Sequence, residues 1–190
     1  MAISTDVKAP SFDLIDIFDR RIRLEDFADR KVMIAFFRHA GCPFCNLRVH
    51  ALTKLREELK LKGMGMEMIF FFESGKQVLL RSTFHKEVNP VPIISDPEKE
   101  WYANYGLEES GRKSAVGHLK YFVQSAIKAK VKGVPMHPMA DGESISTMPA
   151  EFLLGPGLIV KHFHYTQKLK DRLDMEVIRR FAGISEGVPA

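Results

Sequence analysis

The chain has 190 residues, 45% of them hydrophobic, with a formal charge of +4. That length can bury one sizeable core, and one domain over residues 1–190 is the default; no stretch approaches the roughly 18 consecutive apolar residues of a membrane-spanning helix. Two cysteines in all, both in one short motif, exclude a disulfide-stapled scaffold and point to redox chemistry or metal binding.

The positive charge is local. Between Ser110 and Ala140 lie Arg112, Lys113, Lys120, Lys128, Lys130 and Lys132 and no acid, so the remainder of the chain is net negative. Without interleaved aromatics at base-stacking positions this segment reads as a solvated helix face rather than a nucleic-acid surface. The opening MAISTDVKAPSFD lacks the basic and apolar regions of a secretory signal, so a cytoplasmic location is expected, with no membrane or nucleic-acid partner.

In chain order, SFDLIDI at Ser11–Ile17 alternates apolar and polar residues and Arg21–Leu24 follows a polar turn, predicting an N-terminal β-hairpin. KVMIAFF at Lys31–Phe37 has the length and composition of a strand covered on both faces. From Pro43 to about Leu61, the residues Val49, Leu52, Leu55 and Leu59 recur at three- and four-residue intervals, the spacing of an amphipathic helix, and Pro43 suits its first turn. A strand at Met66–Phe72, a helix near Lys76–Phe84 and a strand at Val91–Ser95 continue the alternation. Such an order predicts an α/β fold, a central sheet flanked by helices and joined by right-handed crossovers.

Asp96 reads as the cap of a short helix led by a proline and ended by Gly106. The basic segment then predicts a helix at about Ser114–Lys130 whose Leu119, Phe122, Val123, Ala126 and Ile127 form one apolar stripe. That stripe is expected to pack on its own domain, a second copy of the chain being the other candidate. It forms a helical insertion spanning about 110–141. Ala150–Leu154, a Gly155–Pro156–Gly157 turn and Leu158–Phe163 predict a second hairpin, and Leu169–Phe181 a closing helix. The nine methionines and fourteen phenylalanines are read as core filling. No Gly-rich phosphate loop is present, and no cofactor is assigned.

The chemistry centres on Cys42-Pro43-Phe44-Cys45, where an apolar strand runs into the start of a helix. A thiolate at that helix end is stabilised by free backbone N–H groups and the macrodipole, which lowers its pKa and raises its nucleophilic fraction. Cys42 is therefore the expected attacking thiol. Cys45, one turn on, can reach it and suits a resolving thiol. Arg38, His39 and Arg48 flank the pair; each could lower the thiol pKa further or be structural. A lone C-x-x-C also suits half a zinc site, but the further ligands on offer, His162 and His164, are better read as surface histidines, and no metal is assigned.

The N-terminal hairpin, the strand–GCPFC–helix unit, SDPEKEWYANYG and MPAEFLLGPGLIV together resemble the AhpC/TSA peroxiredoxin-like family. The resemblance implies a thioredoxin-like fold with a mixed sheet, in which a cis-proline faces the redox motif. Met148–Pro149 matches that position, so Met148 and Pro149, with Pro43 and Phe44 of the motif, are the implied substrate contacts. One departure stands out. The family's P-x-x-x-[TS]-x-x-C pattern, laid onto Cys45, puts Arg38 at the proline and Cys42 at the hydroxyl, and C-P-F-C looks like the glutaredoxin type.

The leading expectation is therefore a thiol–disulfide oxidoreductase cycling Cys42 and Cys45 between dithiol and disulfide. The alternative is a peroxiredoxin-like peroxidase reducing hydroperoxides through the same thiols. Either would take a disulfide or peroxide substrate and a thiol electron donor of the thioredoxin or glutathione type. A third reading is a non-catalytic redox-sensing or metal-binding module.

Overall fold

The computed structural model describes residues 2–107, 126–136, 138–140, 143–144, 146–168 and 171–184. Its centre is strand β3 (Val32–Phe37), all six residues buried. The run is apolar without alternation because both its faces are covered. Met33, Ala35 and Phe37 point into one core, with Met68, Phe70 and Phe72 of β4 (Glu67–Phe72); Val32, Ile34 and Phe36 point into the other, with Ile69 and Phe71. The first core is closed by the apolar stripe of α1 (Pro43–Leu61), whose Val49, Leu52, Leu55 and Leu59 are all buried. The second is closed by Phe12, Ile22 and Leu24 of the N-terminal segment and by Tyr102 and Tyr105. Phe36 stacks on Phe71 at 4.6 Å between centroids and meets Tyr102 edge-on, the offset and T-shaped geometries that aromatic quadrupoles favour.

The N-terminal hairpin forms from β1 (Asp13–Ile15) and β2 (Arg21–Arg23), shorter than its predicted span. The main sheet has five strands in the order β5-β4-β3-β6-β7, where β5 is Ile93–Ser95, β6 Ala150–Gly155 and β7 Ile159–Tyr165. Strands β3, β4 and β5 run parallel, while β6 and β7 are antiparallel to their neighbours. This is the mixed sheet expected. Gly157 takes a left-handed φ of 76° in the β6–β7 turn, a conformation that needs glycine.

Three boundaries moved. The single helix predicted near Lys76–Phe84 is two, α2 (Lys76–Arg81) and α3 (Thr83–Glu87), because Ser82 between them is extended, in a Ser–Thr pair of weak helix propensity. Asp96 lies before rather than at the cap of α4 (Glu100–Asn104), where Lys99 stands in a left-handed conformation; its carboxylate still accepts the N–H groups of Glu100 and Trp101, at 3.2 and 2.9 Å. The closing helix α5 starts only at Met175 and runs to Ala182, capped by the Asp174 carboxylate on the Glu176 N–H, since Leu173 is held in side-chain hydrogen bonds to another element.

Most of the predicted insertion helix, with Leu119, Phe122 and Val123, lies outside the described residues; residues 126–131 are helical. There Ala129 is buried but Ile127 is 59% exposed, so at that residue the expected stripe does not pack inward. Backbone direction turns the helix by about 100° per residue, and the buried side passes through Ala129 instead. No described helix is long and apolar enough to cross a membrane.

Candidate active site

The parallel strands β3, β4 and β5 deliver their carboxyl ends to one edge of the sheet, the usual position for sites in such sheets. There β3 continues into Arg38 and His39, β4 into Glu73 and Ser74, and β5 into Asp96. Cys42 is the N-cap of α1: extended in backbone, followed by Pro43 in the first turn, its Sγ accepting the Cys45 N–H at 3.4 Å. Both cysteines are free thiols, fully buried. Arg38 is buried too, its Nη2 donating to Cys42 Sγ at 3.0 Å and its backbone N–H to Cys45 Sγ at 3.4 Å. The Phe44 ring lies 6.0 Å from the same guanidinium, within cation–π range.

These neighbours split the two thiols. Burial alone would raise the Cys42 pKa, but the hydrogen bond from Cys45 and the charges of Arg38 and His39 outweigh it and hold this thiol well below the ordinary range. Cys45 goes the other way, pushed well up by burial and then by its bond to Cys42 and the Cys42 charge, against opposing pulls from Arg38 and Arg172. The pair therefore loses its first proton from Cys42. An anionic sulfur beside a neutral one is the state from which nucleophilic attack and disulfide closure proceed.

Around the pair, residues far apart in sequence supply the support. Asn46 donates from Nδ2 to the carbonyls of Ala40 and Pro135, at 2.7 and 2.9 Å, tying the cysteine loop to the segment that follows residues 126–131. Glu73 is buried, accepting the Thr147 hydroxyl at 2.6 Å and the Ser144 N–H at 3.1 Å, with Lys99 Nζ 3.5 Å away. The Ala40 N–H donates to Ser74 Oγ at 2.7 Å, and that hydroxyl donates to Glu143 Oε1. Glu143 Oε2 in turn accepts the Ala140 N–H at 2.7 Å and lies 3.7 Å from His39 Nδ1. Arg172 gives Nη1 to Thr166 Oγ1 and the Asp171 carbonyl.

Of the residues picked from sequence, Cys42, Pro43, Phe44, Cys45, Arg38 and His39 come together here. Arg48 does not. Its Nε and Nη2 form a two-pronged pair with Glu151, both at 2.8 Å, and Nη2 also donates to the Leu173 carbonyl at 2.6 Å. It is a strut between α1, β6 and the approach to α5, because every donor facing that way is taken by a partner other than sulfur. The expected cis bond at Met148–Pro149 is also corrected: among the described residues the cis peptide is Asn89–Pro90, and Met148–Pro149 is trans. Thr147 is pinned to Glu73 and the Pro149 carbonyl accepts the Thr166 N–H at 3.0 Å, so extended backbone already satisfies this stretch in the isomer X–Pro bonds prefer. Met148 and Pro149 line a hollow of about 200 Å³ with Gly106, Tyr165 and Thr166, and no residue of the cysteine motif borders it.

Sequence reasoning missed Glu73, Ser74, Asn46, Glu143 and Thr147. Only Glu73 and Ser74 carried a signal, as polar residues immediately past the carboxyl end of an apolar parallel strand. His164 pairs with Asp171 at 3.0 Å and His162 meets the Phe181 ring, and no group of three or more metal-ligating side chains occurs among the described residues.

A buried dithiol at the head of the helix that follows the central strand of a thioredoxin-like mixed sheet defines the class, an oxidoreductase acting through thiols. Comparison with known proteins narrows it. A sequence model of the AhpC/TSA family matches residues 5–162, and the chain belongs to that family. It is 26% identical over 105 residues to a putative peroxiredoxin bcp of Haemophilus influenzae, covering 55% of this chain and 66% of that one. With peroxiredoxin Bcp of Escherichia coli it shares 27% over 109 residues, 57% of this chain and 67% of the relative. The chain thus spans about two thirds of the length of these relatives. Among solved structures, a thiol peroxidase from Chromobacterium violaceum superposes with a TM-score of 0.62 at 16% identity, covering 95% of this chain and 86% of its own. Peroxidoxin BcpB from Mycobacterium tuberculosis gives 0.58 at 13%, covering 87% and 88%. At such identities these two bear on the fold alone.

Proposed function

We propose that this protein is a peroxiredoxin-type thiol peroxidase in which Cys42 reduces a hydroperoxide and Cys45 resolves the product. The observation that carries this reading is the Arg38 guanidinium 3.0 Å from Cys42 Sγ, which favours the thiolate of a fully buried side chain. The Cys42 thiolate attacks the terminal peroxide oxygen, the O–O bond breaks, and the alcohol or water leaves after taking a proton, with Cys42 as a sulfenic acid. Cys45, as thiolate, then attacks the Cys42 sulfur; a disulfide forms and water departs. An external dithiol, or two thiols, returns two electrons and two protons to restore the pair. Relatives named peroxiredoxins favour this over the disulfide-reductase reading that the C-P-F-C pair alone supports.

Because both sulfurs are buried, substrate entry requires local opening around the pair, where Asn46 bonds to the Pro135 carbonyl and Ser74 to Glu143. A groove of about 570 Å³ lies between Pro135, Pro138 and Ala140 and the Val78–Phe84 stretch. The deciding experiment is rapid mixing of the reduced protein with hydrogen peroxide and with an alkyl hydroperoxide. Fast second-order oxidation, lost in Cys42→Ser and leaving a dimedone-trappable sulfenic acid in Cys45→Ser, is the expected result. Sluggish oxidation with brisk insulin reduction would return the protein to the disulfide-reductase reading.

A further inference from the structure

Glu143 comes from a stretch of chain with no apparent link to the cysteine motif, yet its side chain is only 2% exposed and aimed into the motif's loop. A carboxylate is not buried without compensation. Here the compensation is on both oxygens: the Ser74 hydroxyl on Oε1, and the Ala140 N–H at 2.7 Å with His39 Nδ1 at 3.7 Å on Oε2. Ser74 also receives the Ala40 N–H, and the His39 carbonyl receives the Cys42 N–H at 3.0 Å. His39 and Ala40, two of the three residues between Arg38 and Cys42, are thus held to one carboxylate, directly and through a hydroxyl.

We propose that Glu143 is a positioning residue for Cys42: it seats His39 as an imidazolium beside the cysteine loop, in a carboxylate–imidazole–thiolate line that runs Glu143, His39, Cys42. A carboxylate favours the charged imidazole, and a charged imidazole favours the thiolate, just as it stabilises an activated nucleophile elsewhere. The influence of His39 on Cys42 agrees in sign with this line, since its charge lowers the thiol pKa. Among the described residues, the other charged groups facing the cluster are Arg38 on the cysteine loop, Arg172, whose charge reaches Cys45, and Glu73 beyond β4, with Lys99 at 3.5 Å from Glu73. Arg38 acts on Cys42 directly, so a substitution at Glu143 leaves that contribution in place.

The proposal rests on Cys42 being the reactive thiol, and the sign of one substitution tests it. Glu143→Gln removes the charge and keeps one acceptor, for the Ala140 N–H, while its amide NH2 faces the Ser74 hydroxyl, which can accept. Acting directly on the sulfur, loss of a nearby negative charge would increase thiolate; acting through His39 it decreases it. The thiolate of the reduced full-length protein is titrated by ultraviolet absorbance and by alkylation rate with iodoacetamide, with near-ultraviolet circular dichroism confirming that each variant is folded. The expected result is that Glu143→Gln lowers the thiolate fraction on the acid limb by about threefold, half a pKa unit, and that the same substitution in a His39→Gln background lowers it no further. An unchanged or increased thiolate fraction, or an equal fall with His39 already replaced, overturns the proposal. A wild-type protein with no thiolate at neutral pH defeats the reading of Cys42 itself, whatever Glu143 does.

Discussion

Arg38 Nη2 donates a 3.0 Å hydrogen bond to Cys42 Sγ, and solvent reaches neither side chain. The same residue's backbone N–H donates to Cys45 Sγ at 3.4 Å, so one arginine serves both sulfurs, its charge acting on each and its main chain on Cys45 alone. Of these only the main-chain bond is independent of the side chain.

Arg38→Met should therefore raise the Cys42 pKa while leaving the main-chain bond to Cys45 intact. A one-unit rise, a tenfold loss of thiolate on the acid limb, is the expected size, corresponding to about 1.36 kcal/mol. The substitution also bears on stability. Cys42's folded pKa lies below its unfolded value, so the reduced protein gains stability that is fully present above the ordinary thiol range and lost as pH falls through the folded value. Urea unfolding of the reduced protein across that window should show the slope, and Arg38→Met should flatten it. An unmoved thiolate midpoint would contradict this assignment of Arg38.

The Arg48–Glu151 pair is expected to act on stability without touching the thiols. Its members are 103 residues apart, 9% and 1% exposed, and Glu151 also accepts the Leu173 N–H at 3.0 Å. Glu151→Ala strands a buried guanidinium, a change that costs about 3–5 kcal/mol. Denaturant unfolding should register that loss, while the thiolate titration of the variant superposes on that of the wild type. A shifted titration would mean that Arg48 reaches the sulfur after all.

Glu73 provides a pH signature of opposite sign. Burial raises its pKa, against the Thr147 hydroxyl, the Ser144 N–H, Lys99 and Arg38. A folded value above the unfolded one contributes stability that is complete below the unfolded pKa and is lost as pH rises through the folded pKa. Glu73→Gln removes that titration, so the stability of wild type relative to the variant should decline as pH is raised through the carboxylate range. Thermal unfolding at a series of pH values checks it; a difference that grows with pH would show Glu73 to be stabilised as the anion.

How much of this was legible in the chain depends on the range of the interaction. Hydrophobic period located α1, whose spacing is written in residues three and four apart, and unbroken apolar runs of strand length located β3 and β4, because both faces of those strands are covered. The coupling of an apolar strand to a proline-led helix located Cys42 and Cys45 and gave them unequal chemistry, since a helix N-terminus acts on whatever residue opens it. Where local signals conflicted with tertiary demands they misled: Leu169–Phe181 reads as one helix, but Leu173 is taken by Glu151 and Arg48, and α5 waits for Asp174.

The sequence by itself determined the kind of sheet, the dithiol and which of its sulfurs is exposed to the helix end, all matters of neighbours along the chain. The tertiary structure alone decided what surrounds that dithiol. Arg38 and Arg48 look alike in the sequence, ten residues apart on the same motif, and only folding turns one toward Cys42 and the other toward Glu151. Glu143 and Thr147 reach the site across 69 and 74 residues, through Ser74 and Glu73. A buried charge takes whichever partner the packed chain brings within about 4 Å, and no spacing along the sequence records which one that is.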